Sequence, residues 1–126
     1  MQQKAISILP YCQDMEKYYK AADFMISASR IEAFPKVVQE GMFYSLPMIL
    51  APVFGIIEQV QDEVSALFFS PGDSKKLAEK ISRICRDSKL RMKLAQNARV
   101  SLNRLPSMRD MVRDYKNIIS EAWLSG

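Results

Sequence analysis

The stretch from Ser29 to Gly41, SRIEAFPKVVQEG, holds the strongest candidates for chemistry in this 126-residue chain. Two glutamates, Glu32 and Glu40, stand with seven residues between them, and the basic residues Arg30 and Lys36 flank the first. A carboxylate is an acceptor-only group that can take two donors at once. Pro35 falls where a helix would begin, with Val37, Val38 and Met42 following at inward spacing. Unpaired N–H groups and a partial positive charge at a helix start suit a phosphate. The backbone of Phe34, Pro35, Lys36, Val37 and Val38 is therefore the expected diphosphate cradle, with Lys36 and Arg30 as nearby cations. Taken alone, the two glutamates also fit ordinary solvated positions on a loop and a helix surface.

The elements around these residues are readable from short apolar runs. ISIL (6–9), FMISAS (24–29), PMILAP (47–52) and ALFFS (66–70) are compact and unalternating, as buried parallel strands are, and helical stretches separate them. Alternation of this kind predicts a parallel sheet with helices on both sides. Glu32 then lies on the loop leaving the carboxyl end of strand 24–29, where open α/β sheets bind their ligands. Asp14 is the expected cap of a first helix with Met15, Tyr18, Tyr19 and Ala22 inward. Later helices are expected over 74–86, capped by Asp73, with Leu77, Ile81 and Ile84 inward, and over 89–102, after Ser88. A last helix follows Pro106, with Ser107 and Asp110 as a capping box and an apolar stripe from Met108 to Trp123.

Four blocks in order carry a family resemblance: YYKAADFMISASRIEAF, PKVVQEGMFYSLPMIL, FGIIEQV and ALFFSPGD. The chain resembles the C-terminal, donor-binding part of a retaining GT-B glycosyltransferase of family 4 (glycosyl transferases group 1), of the bacterial polysaccharide-synthesis type. The resemblance implies a Rossmann-like parallel sheet forming part of the C-terminal domain of a GT-B fold. It implies Glu32 near the donor sugar as the catalytic candidate and Glu40 accepting hydrogen bonds from the ribose hydroxyls. It also implies a nucleotide-sugar donor such as a UDP-sugar, with no metal and no other cofactor. Gly55 and Glu58, in FGIIE, add a turn that lets backbone approach the donor. The chain departs from the pattern at Ser45 and at Phe54, where glycine is usual, and at Gly41, where alanine is usual.

On this reading residues 1–126 form one partial domain, a fragment whose acceptor domain and upstream donor-domain half lie elsewhere, and which alone is inactive. Its first strand is KAISIL (4–9). If the two missing strands belong between ISIL and FMISAS, the edge of strand 24–29 is left open. Either ISIL fills it, or two chains pair as a homodimer, helped by the last helix's stripe.

Composition excludes other chemistries. With no histidine, a histidine triad or a histidine zinc site is absent. Cys12 and Cys85 are unpaired in sequence and fit small core residues in a reducing, cytoplasmic setting. A net charge of +4 is dispersed among acidic residues, which favours weak attraction to phosphates or an anionic membrane's inner face over nucleic-acid binding. No apolar run is long enough to span a bilayer. The acceptor, a glycan or lipid, is not readable. The alternative function is a non-catalytic α/β module, flavodoxin-like or a degenerate sugar-nucleotide sensor. A receiver would need an acidic cluster after its first strand, and ISILPYCQD offers only Asp14. A glycoside hydrolase would need two carboxylates roughly 5 to 9.5 Å apart across one bond, which a mid-helix Glu40 does not favour.

Overall fold

The structure, a computed structural model, describes residues 6–124. The elements run α1 (Glu16–Ala21), β1 (Met25–Ser27), α2 (Lys36–Phe43), β2 (Met48–Leu50), α3 (Gly55–Gln59), β3 (Leu67–Phe68), α4 (Ser74–Arg86), α5 (Ser88–Leu102) and α6 (Met108–Leu124). The sheet is ordered β1-β2-β3 and parallel throughout, with Met25 opposite Met48 and Ile49 opposite Leu67. The expected Rossmann-like α/β class is therefore present, in three strands that are each shorter than their apolar runs.

Central β2 shows why. Met48, Ile49 and Leu50 are all fully buried, because helices cover both faces of the sheet. Met48 and Leu50 pack with Val38 and Met42 of α2, Ile56 of α3 and Ala98 of α5. Ile49 points the other way, onto Leu67, Ile84 of α4 and Leu94 of α5. Strand alternation thus feeds two cores from one run, each such side chain contributing about 1.5–3 kcal/mol on burial.

Several sequence expectations are corrected. ISIL is not a strand: Ile6, Ile8 and Leu9 are exposed and residues 6–9 have no regular structure, while residues 4 and 5 of the expected strand lie outside the described residues. A strand without a paired neighbour leaves its N–H and C=O groups without ladder partners, so the apolar run alone does not make one. Among the described residues β1 accordingly pairs on its β2 side only. Met15, not Asp14, holds the N-cap position of α1, without a side-chain capping bond, and Tyr19 is the helix's one buried residue. Pro35 is the N-cap of α2 rather than its first turn, and Val37 is exposed rather than inward, because the inward face runs through Val38, Gly41 and Met42. Asp87, one residue before Ser88, caps α5 by accepting from Leu90 N at 2.9 Å. Neither cysteine is a core residue, Cys85 being exposed and Cys12 half-buried.

Asp73 caps α4 as expected, accepting from Lys76 N at 2.9 Å. The Ser107 and Asp110 box also forms: Ser107 N donates to Asp110 Oδ2 at 2.9 Å, and Asp110 N to Ser107 Oγ at 3.2 Å. The helix that box starts has its apolar stripe in the open, with no buried residue and Trp123 85% exposed. No described helix is long and apolar enough to cross a membrane.

Glu63 ties the loop before β3 to the helices behind it. Its Oε1 accepts from Lys80 Nζ at 2.9 Å and Arg83 Nη1 at 2.6 Å, and its carbonyl accepts from Lys93 Nζ at 3.3 Å. Its φ of 59° is left-handed, a strain these contacts offset. Arg83 foremost, then Lys80, holds the carboxyl down to about 2 from an ordinary 4.5. A lowered carboxyl stabilises the fold fully above its ordinary value, and that contribution is lost as pH falls from about 4.5 toward 2. Since the side chain is 42% exposed, the net effect is about 1 kcal/mol. Denaturant melts should show Glu63→Gln less stable than the parent at pH 7, with the gap closing near pH 2; an equal gap at both would assign the loss to uncharged contacts of the side chain instead.

Candidate donor-binding site

The site is built on the two loops that leave β1 and β2 at their carboxyl ends. Residues 28–35 join β1 to α2 without regular structure and carry Arg30, Glu32 and Phe34. Across from them, the β2–α3 turn places Gly55 so close that a Cβ there would lie 1.5 Å from Ala33 O and 2.9 Å from Phe34 Cα. The missing side chain of Gly55 is what lets the loops touch. Phe54, just before it, adopts φ 34°, ψ −117°, a strained conformation for a residue with a Cβ, and leaves its ring exposed.

Above the contact stands the start of α2. Pro35 offers no capping side chain and no acid occupies the first turn. Val38 N is taken by Pro35 O, whereas Lys36 N and Val37 N have no acceptor among the described residues. The exposed side chains of Arg30 and Lys36 make no ion pair among the described residues either. Two unpaired cations and open helix N–H groups make this rim receptive to an anion.

Glu32 is half-buried and Glu40 is exposed on α2, and no hydrogen bond or ion pair joins them. Glu40 Oε2 accepts from the Tyr19 hydroxyl at 2.6 Å. Tyr19 stacks on Tyr44, ring centroids 5.3 Å apart and planes 7° from parallel. Burial, then the Glu40 carboxylate, pushes the Tyr19 phenol above its usual value, so the hydroxyl stays a donor. The sequence placed Tyr19 only as a core residue of α1; its reach to Glu40, 21 positions on, left no local signal.

Glu40 lines a groove of about 420 Å³ with Lys36, Gln39, Phe43, Tyr44 and Leu102. Glu58 lines a different one, of about 430 Å³, with Gln61, Ser101 and Arg104. The structure thus brings Glu32, Phe34 and Gly55 to one edge, with Pro35, Lys36, Val37 and Val38 at the adjoining helix start. Glu58 stands one helical turn beyond Gly55, facing its own groove.

The family model described as "Glycosyl transferases group 1" matches residues 1–101. The D-inositol 3-phosphate glycosyltransferase of Salinispora arenicola is 35% identical over 86 residues, 68% of this chain and 19% of that protein. A glycosyltransferase from Rickettsia africae superposes with a TM-score of 0.82 at 26% identity, over 94% of this chain and 32% of that one. Anabaena HepE, solved in complex with UDP-glucose, superposes with a TM-score of 0.78 at 23% identity, covering 90% of this chain and 31% of its own, a likeness of fold. The chain spans 19% to 31% of the length of the first curated relatives it matches.

Proposed function

The chain belongs to the group 1 glycosyl transferases, and from that premise we propose that it is the donor-binding portion of a retaining glycosyltransferase of cell-surface polysaccharide synthesis. The observation that carries this reading is the touching pair of loops at the carboxyl ends of β1 and β2, under an uncapped helix start, with Arg30 and Lys36, which make no ion pair among the described residues, beside it. The donor is a nucleotide-sugar of the UDP kind, by likeness to the fold that holds UDP-glucose in Anabaena HepE. Its diphosphate lies against the backbone of 34–38, its ribose against Glu40 and its sugar toward Glu32. Gly55 lets the second loop close on the donor, and Glu58 sits behind it.

In this reading transfer needs the leaving diphosphate to be stabilised as its charge develops; oriented N–H groups do so without reorganising, and Arg30 and Lys36 add positive charge beside them. Glu32, beside the sugar, is the residue that would face the reacting carbon. In this reading acceptor binding falls to the parts of the relatives that these 126 residues do not span, so the chain by itself is expected to hold the donor weakly and not to transfer sugar.

Amide NMR with added UDP tests the placement. Shifts are expected over residues 30–40 and 54–55. Shifts confined to the Gln61, Ser101 and Arg104 groove, with those loops silent, would move the site to the other side of α3.

A further inference from the structure

We infer that Tyr19 is a positioning residue for the ribose contact, its hydroxyl fixing the Glu40 carboxylate so that Oε1 faces the ligand. This deepens the reading of Glu40 given above and rests on it. Glu40 is exposed on α2, and a free glutamate side chain there would sample many rotamers that ligand binding would have to freeze. The 2.6 Å bond from the Tyr19 hydroxyl to Oε2 removes that freedom before any ligand arrives. Among the described residues Oε1 accepts no hydrogen bond, and a carboxylate with one oxygen engaged retains acceptor capacity for a vicinal diol.

The tyrosine is itself held. Tyr19 is 8% exposed, and its ring lies flat against Tyr44, whose ring in turn meets Phe43 edge-on at 5.0 Å. Tyr44 and Phe43 both line the Glu40 groove, so the aromatic stack forms one side of the surface the carboxylate serves. A phenol is protonated throughout the neutral range, so the hydroxyl remains a donor to Glu40, and burial and the Glu40 carboxylate push its ionisation higher still. Fixing an interacting group ahead of time raises affinity by lowering the ordering cost at binding.

Tyr19→Phe removes the hydroxyl and keeps the ring on Tyr44. UDP and its 2′,3′-dideoxy analogue are titrated by NMR into the 126-residue chain, its Tyr19→Phe and Glu40→Gln variants and the double variant. Tyr19→Phe is expected to weaken UDP about fivefold and to leave the dideoxy analogue unchanged, the double variant matching Glu40→Gln alone. Equal weakening of both ligands would make Tyr19 a structural residue only and overturn the inference. Unchanged or tighter UDP binding in Tyr19→Phe, with Glu40→Gln still weakened, would overturn it while sparing the ribose reading. Unchanged UDP binding in Glu40→Gln would remove that reading and this inference together.

Discussion

Replacing Gly55 by alanine is expected to lower the melting temperature of the chain by more than about 10 °C and to abolish what UDP binding it has. The added Cβ would stand 1.5 Å from the Ala33 carbonyl oxygen, 2.5 Å from its carbon and 2.9 Å from Phe34 Cα. All three are backbone atoms, so no side-chain rotamer can relieve the overlap; one loop must lift away from the other. Ile56, the next residue, is fully buried against β2 and α2, so lifting the turn also opens the core. The expected loss exceeds about 3 kcal/mol, against a total of roughly 5–15 kcal/mol for a domain. Gly72 is the control: its φ of 85° carries strain for alanine, yet nothing lies within 4 Å of its would-be Cβ. Gly72→Ala should cost about 1 kcal/mol and leave binding alone. Circular dichroism melts of the two variants would contradict the account if they fell together, or if Gly55→Ala melted with the parent.

The fold was legible where side-chain pattern alone decides it. FMISAS, PMILAP and ALFFS each contain a strand, and their spacing through helices pointed to the parallel sheet that is present. The loop holding Glu32 follows from that alternation, as does the helix start at Lys36. What misled was pattern without a partner. Ile6, Ile8 and Leu9 have the composition of a strand, but a strand is a relation between neighbours, and here those side chains face solvent. The stripe of α6 shows the same limit, since its period places Met111, Tyr115 and Ile118 on one face yet does not say what covers them.

In the site, residue types pointed to Glu32 and Glu40 but not to what holds them. Gly55 was readable as a turn that admits backbone, while its contact with Ala33, 22 positions earlier, belongs to tertiary structure. The tyrosine on Glu40 was hidden for the same reason. Glu63 was harder still, because left-handed backbone at a residue other than glycine leaves no mark in the sequence, whereas at Phe54 the glycine usual in the pattern was a hint. At Glu63 three basic groups compensate; at Phe54 the strain lies beside the site.

The central claim is that Glu40, on α2, takes the nucleotide's ribose. A titration of UDP into the chain and into Glu40→Ala, followed by NMR or calorimetry, tests it most directly. The 126-residue chain should bind with a dissociation constant of about a millimolar. Losing charge-assisted hydrogen bonds of about 1.5–3 kcal/mol should weaken that at least about tenfold. Sub-micromolar binding that Glu40→Ala leaves untouched would contradict the account and put the nucleotide elsewhere on the chain.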